Sequence, residues 1–128
     1  AARQMVKQGT GGNIVVISSV HVERPFANST AYNAAKAGVD RMARTWALEL
    51  APHGIRVNII EPGWIDTTGE RLHSTEEQRR EGGRKLPMGR LGTPEEIAKA
   101  VAFVVSPNAS YMTGSVLRVD GGFVLPHA

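Results

Sequence analysis

Two spacings of apolar residues alternate along this chain. Residues 13–18, NIVVIS, form an apolar run rich in β-branched side chains, the pattern of a strand buried on both faces. From Thr30 to Leu50 the apolar positions Ala35, Val39, Met42, Ala43, Trp46 and Leu50 return at helical spacing, until Pro52-His53-Gly54 stops the pattern. Ile55–Glu61 reads as a second strand, ended by Pro62-Gly63. The polar segment 66–88 carries a short predicted helix over 75–81, broken by Gly82-Gly83. Thr93-Pro94-Glu95-Glu96 has the spacing of a capping box with proline at the first helical position, and Ile97, Ala100, Val101, Val104 and Val105 supply that helix's buried stripe before Pro107 ends it. Ser115–Asp120 is the third predicted strand, closed by Gly121-Gly122, and residues 1–8, AARQMVKQ, form a short helical stretch. Strands that alternate with helices predict an α/β fold with a parallel sheet and crossover helices.

Three polar residues fall at informative places in that pattern. Tyr32 and Lys36 are four residues apart on the long predicted helix, and so lie on one face, one turn apart. Ser19 follows the first strand. An ammonium near a phenol favours the phenolate, and such a phenol can act as acid or base on an alcohol or carbonyl. A serine hydroxyl delivered from a strand end can hold the reacting oxygen. Taken singly, the three residues fit plainer roles equally well: a strand-end cap, a half-buried aromatic and a solvated charge.

Composition narrows the classes. A chain of 128 residues with 41% hydrophobic positions is long enough for one domain with a core. The net charge of +3 comes from dispersed residues, and the aromatic content of 5% leaves no basic stripe interleaved with rings, which argues against nucleic-acid binding. Without cysteine there are no disulfides or thiolate metal sites. His21, His53, His73 and His127 have no ligand-like spacing, so surface or loop positions are expected for them rather than a metal site. No apolar stretch reaches the roughly 20 residues that span a bilayer, and the expectation is a soluble, cytoplasmic protein.

The order and spacing of the motifs go further. An apolar strand ending in Ser-Ser comes first, followed by Ala31-Tyr32-Asn33-Ala34-Ala35-Lys36-Ala37-Gly38. Gly54-Ile-Arg-Val-Asn-Ile-Ile-Glu-Pro-Gly63 and Asp120-Gly-Gly complete a pattern that resembles the short-chain dehydrogenase/reductase family over nearly the whole chain. Ser19-Val-His21 and the stretch from Gly92 to Ala98 look like its glucose 1-dehydrogenase and 3-oxoacyl-carrier-protein reductase members. The resemblance implies that Tyr32 is the acid/base, that Lys36 assists it and binds the nicotinamide ribose, and that Ser19 polarises the substrate oxygen. It also implies that the turn Pro62-Gly63-Trp64-Ile65-Asp66-Thr67 meets the cofactor, through backbone groups at Ile65 and a hydroxyl at Thr67. The implied cofactor is NAD or NADP, and the implied substrate a secondary alcohol or ketone, with sugars or polyols suggested by Ser-Val-His. Residues 66–88 would form a substrate lid.

One family feature is missing. No glycine-rich turn follows a first strand, and Gly9, Gly11 and Gly12 lie between a helical stretch and a strand instead. The expectation is therefore the C-terminal, catalytic half of a Rossmann-like doubly wound fold, a single partial domain that binds dinucleotide weakly or not at all on its own. Its first strand would keep an open edge, so pairing with a copy of itself, or with the missing half, through that edge or through the long helix is expected. Two function classes stay open: the catalytic half of an NAD(P)-dependent oxidoreductase, and a non-catalytic chain that self-associates.

Overall fold

The computed structural model describes residues 1–125. Three parallel strands form one sheet in the order β1 (Gly12–Ile17), β2 (Ile55–Pro62) and β3 (Val116–Val119). Register runs from Gly12 opposite Ile55 to Ile17 opposite Ile60, and from Ile59 opposite Val116 to Pro62 opposite Val119. Helix α1 (Ala2–Gln8) precedes β1, and α2 (Thr30–Leu50) is the crossover from β1 to β2. Helices α3 (Thr68–His73), α4 (Glu76–Arg84) and α5 (Pro94–Val105) fill the longer crossover from β2 to β3.

Side chains alternate across β2, and its two faces meet different helices. Ile55, Val57 and Ile59 pack on Ala43 and Ala47 of α2 in the central apolar cluster. On the opposite face, Arg56 donates to the carbonyl oxygens of Val104, Ser106 and Met112, closing the C-terminal end of α5. Asn58 donates to the Met112 carbonyl and accepts from the Ser115 N–H, which fixes the loop that leads into β3. Asp120 accepts from the N–H groups of Gly122 and Val124, bracing the turn after β3. The contacts that Asn58 and Asp120 make are structural, bracing strand ends and turns.

Helix α5 begins as its sequence predicts. Thr93 and Glu96 satisfy each other's backbone N–H in a capping box with Pro94 at the start. Arg90 holds Glu96 bidentately, and this pair, together with the Thr93 N–H, holds the Glu96 carboxyl down at about 2.

Four expectations are corrected. Strand β1 is not buried on both faces: Ile14, Val15 and Val16 are half-buried and Ile17 is 45% exposed, because nothing among the described residues pairs with its outer edge. The fully covered strand is β2. In α2 the sheet-facing positions are Asp40, Ala43 and Ala47, while Ala35 and Met42 are exposed and Val39, Trp46 and Leu50 half-buried. Small side chains let the helix lie close on the sheet, and the larger ones flank the contact. In α5 Val104 is buried, but Val105 is exposed.

Gly82-Gly83 does not break the fourth helix, which runs on to Arg84. Both glycines admit a neighbour instead. A Cβ on Gly82 would lie 2.2 Å from Cζ3 of Trp64, and one on Gly83 would lie 2.9 Å from Cδ1 of Leu91. The cost of glycine in a helix is offset by close packing against the turn after β2.

Candidate active site

The carboxyl ends of β1 and β2 and the first turns of α2 converge on one cavity of about 890 Å³. This is where ligands bind in open α/β sheets. Ser19, Tyr32, Lys36, Pro62, Gly63, Ile65 and Thr67, the seven residues singled out from the sequence, all line it.

Local structure explains how each arrives there. The Ser18 N–H continues the β1 ladder to the Ile60 carbonyl at 2.8 Å, and Ser19 then leaves the sheet. The Ser19 hydroxyl caps the short turn Val20–Val22 by accepting from the His21 N–H at 3.3 Å. Its own hydrogen stays free to be donated into the cavity. Tyr32 sits in the first turn of α2 with 47% of its surface exposed. One turn later Lys36 donates to the Ile17 carbonyl at 3.1 Å, with Nζ 5.6 Å from the Tyr32 ring centre. The ammonium thus ties the helix to the end of β1 and lies beside the phenol, with two of its three hydrogens uncommitted.

The second wall is the turn after β2. Gly63 is required there by close approach, since a Cβ would lie 2.6 Å from Cα of Asp120. Ile65 pairs with Gly92 in an isolated parallel bridge whose bonds run from Gly92 N–H to the Trp64 carbonyl and from Asp66 N–H to the Gly92 carbonyl. The Ile65 N–H and C=O themselves make no hydrogen bond among the described residues, so a donor and an acceptor stand side by side in the cavity wall. Thr67 caps α3 by accepting from the Glu70 N–H at 3.1 Å, which again leaves its hydroxyl hydrogen free.

Residues 66–88 form two helices rather than one short one, and ion pairs fasten them. Arg71 grips Asp66 with two contacts of 2.9 Å, and Arg79 approaches the same carboxylate at 3.5 Å. The Arg71 guanidinium holds the Asp66 carboxyl below its usual range.

Sequence reasoning missed part of the lining. His21, assigned to the surface or a loop, is half-buried in the cavity with its ring edge-on to Tyr32 at 4.9 Å. Its Nδ1 lies 2.7 Å from Oδ1 of Asn33, the residue after Tyr32. His73 lines the cavity as well, His53 lies at the far end of α2, and His127 is outside the described residues. No cluster of three or more metal-ligating side chains occurs among the described residues. Phe26 and Phe123 complete the wall. The available signal was the Ser-x-His and Tyr-Asn adjacency, two polar pairs that face each other only when the strand end meets the helix.

A pair of acids lies just beneath the site. Asp40, one turn beyond Lys36, and Glu61, the residue before Pro62, are 4% and 0% exposed, and none of their four carboxyl oxygens has a hydrogen-bond partner among the described residues. Arg118, on β3, lies between two acids, with Nε 3.7 Å from Glu61 and Nη2 3.5 Å from Glu23. Burial, then the neighbouring Asp40, push the Glu61 carboxyl up to about 7, and in its protonated form it can donate to Asp40.

No helix among the described residues is long and apolar enough to cross a membrane. Comparison with known proteins agrees with the geometry. A family model described as enoyl-(acyl carrier protein) reductase matches residues 1–124. Glucose 1-dehydrogenase 2 of Bacillus subtilis is 44% identical over 98% of this chain and 48% of its own length. The 3-oxoacyl-(acyl-carrier-protein) reductase FabG of Thermotoga maritima is 44% identical over 94% of this chain and 48% of its own. Among solved structures, a 7α-hydroxysteroid dehydrogenase complexed with NADH and 7-oxo glycochenodeoxycholic acid superposes with a TM-score of 0.87 at 38% identity, covering 98% of this chain and 49% of that one. With its Rossmann-like α/β sheet and about half the length of the relatives it matches, the chain belongs to the short-chain dehydrogenase/reductase family of oxidoreductases.

Proposed function

We propose that residues 1–128 are the catalytic half of an NAD(P)-dependent oxidoreductase that moves a hydride between a nicotinamide and a secondary alcohol or ketone. The observation that carries this is the meeting of Ser19, Tyr32 and Lys36 with the Pro62–Thr67 turn in one cavity. The chain's own groups fit a nicotinamide: the unpaired N–H and C=O of Ile65 suit a carboxamide, the free hydrogens of Lys36 suit a ribose diol, and the Thr67 hydroxyl can reach the same ligand.

A bound nicotinamide supplies the hydride acceptor or donor. Ser19 donates its free hydrogen to the substrate oxygen and holds it beside Tyr32. Tyr32 removes the hydroxyl proton during oxidation and returns one to the carbonyl oxygen during reduction. Lys36 anchors the tyrosine-bearing turn to β1 through the Ile17 carbonyl. Pro62, Gly63 and Ile65 shape the cofactor side.

The proposal is tested in a polypeptide joining residues 1–128 to a glycine-rich dinucleotide-binding half. Turnover of a secondary alcohol with NAD or NADP is the expected result, and dinucleotide binding without turnover of any alcohol or ketone would overturn it. For residues 1–128 alone, which carry no glycine-rich pyrophosphate cradle, titration of NADH followed by nicotinamide fluorescence should show no saturation in the micromolar range.

A second reading, a non-catalytic chain that self-associates, is favoured by the open edge of β1 with its exposed Ile17 and by the exposed Met42 of α2. Unpaired N–H and C=O groups along an apolar strand template association. Light scattering at micromolar concentration is expected to give a mass of two chains or more. A mass equal to one chain with a cooperative melt would exclude it.

A further inference from the structure

The buried acids beneath the cavity join its two walls. Tyr32, Lys36 and Asp40 follow one another at intervals of four on α2, and so share one face of the helix. Burial deepens along that face: Tyr32 is exposed, Lys36 half-buried and Asp40 buried. Glu61 immediately precedes Pro62-Gly63, on the face of β2 that carries Ile55, Val57 and Ile59 against α2. The meeting of Asp40 with Glu61 therefore lies one turn from Lys36 on one side and one residue from the Pro62–Thr67 turn on the other.

Nothing else in the fold satisfies these carboxyls. All four oxygens are buried and without a hydrogen-bond partner among the described residues. Arg118 on β3, at 3.7 Å from Glu61, is beyond hydrogen-bond reach and is divided with Glu23 of the loop after β1. Lys36 is engaged with the Ile17 carbonyl. Two ionised carboxyls side by side and out of water would repel, with one divided cation to offset them. A single proton between them removes one charge and makes an O–H···O bond to the other carboxylate, which is the short and strong kind.

Resting on the oxidoreductase reading above, we propose that Asp40 and Glu61 are positioning residues that share one proton, and that this bond clamps the Tyr32–Lys36 face of α2 to the Pro62–Thr67 turn. With the proton in place, the acid/base and the groups that receive a nicotinamide keep their spacing. When it leaves, two buried anions push the helix and the turn apart. Burial, then Asp40, push the Glu61 carboxyl from 4.5 up to about 7, so the clamp is closed below about 7 and opens above it. Glu61→Gln and Asp40→Asn each put an N–H donor where the proton was, and make a clamp that pH does not open.

The first test needs no cofactor and no turnover. In the chain labelled with ¹³C at its glutamate carboxyls, the Glu61 signal, identified by its loss in Glu61→Gln, should titrate near 7. In Asp40→Asn it should titrate lower, by roughly one pH unit or more. The indole N–H of Trp64, next to Gly63, should shift further across the same pH range in the wild type than in either variant. Equal shifts in all three would trace the movement to His21 or His73, which line the cavity, and would overturn the clamp. So would a Glu61 titration that Asp40→Asn leaves unchanged.

The second test uses the joined polypeptide. Its KM for dinucleotide should rise roughly tenfold from pH 6 to pH 9, as for the loss of one charged hydrogen bond, and stay flat in Glu61→Gln and Asp40→Asn. Asp40→Ala, with no group left to clamp, should show the high KM at both pH values. A wild-type KM that stays flat, or that rises equally in Glu61→Gln, would overturn the positioning role and leave the oxidoreductase reading intact. A shared proton seen by NMR in a polypeptide that turns over no alcohol or ketone would do the reverse.

Discussion

Tyr32→Phe, in a polypeptide that joins residues 1–128 to a dinucleotide-binding half, is expected to lower kcat about 10³-fold, within the range for loss of a positioned acid or base. Dinucleotide affinity should stay nearly the same. The substitution removes one oxygen and keeps the ring that packs edge-on against His21, so the first turn of α2 has no cause to move. Lys36→Ala should behave differently. It deletes the tie to the Ile17 carbonyl together with the donors facing the cavity, so both turnover and dinucleotide affinity should fall, the latter by roughly 10- to 100-fold for a lost hydrogen bond from a charged group. Steady-state kinetics with a separate binding titration resolves the two. If the phenylalanine variant oxidised alcohol at an undiminished rate, Tyr32 would not be the proton carrier.

Glu61→Gln is expected to raise stability at neutral and alkaline pH. The wild-type carboxyl, normally at 4.5, is pushed up to about 7 by burial and by Asp40. A raised acid binds a proton in the folded state that the unfolded chain has already released between these values. The stability it contributes is therefore greatest below about 4.5, declines as pH rises to about 7, and is flat above. At about 1.4 kcal/mol per pKa unit, a shift from 4.5 to about 7 makes the decline on the order of 3 to 4 kcal/mol. Glutamine keeps the shape and an N–H donor toward Asp40 without the charge. Thermal melts of the two proteins should coincide near pH 4 and separate by pH 8, with the variant melting roughly 10 °C higher. Asp40 on α2, Arg118 on β3 and Glu23 after the first strand all face this group, so the difference between the two proteins, not either curve alone, isolates it. Curves that stay parallel from pH 4 to pH 8 would show that Glu61 is not protonated in the fold.

What the sequence disclosed followed from local chemistry. β-Branched runs located all three strands, and Thr93 with Glu96 marked the start of α5 because a capping box lies within one turn. Ser19, Tyr32 and Lys36 were legible because a strand end and one helical turn suffice to place them. Whatever depended on distant packing was not. The face of α2 was misjudged because large apolar side chains weigh most in a periodicity, while the sheet selects Ala43, Ala47 and a buried Asp40. Gly82-Gly83 looked like a stop because nothing nearby announces the indole of Trp64. Asp40 and Glu61 are polar residues whose meeting is set by topology alone, and the ring contacts of Phe26 with His21 and Phe123 join opposite ends of the chain.

The seat of Trp64 on Gly82 makes the width of the cleft adjustable from behind. Position 82 touches no reacting group, yet even a methyl there would collide with the indole, so that the ring and the helix could not both keep their places, like a wedge driven behind a door. A graded series of side chains at that one place would trim which molecules enter while leaving the proton-handling residues as they stand.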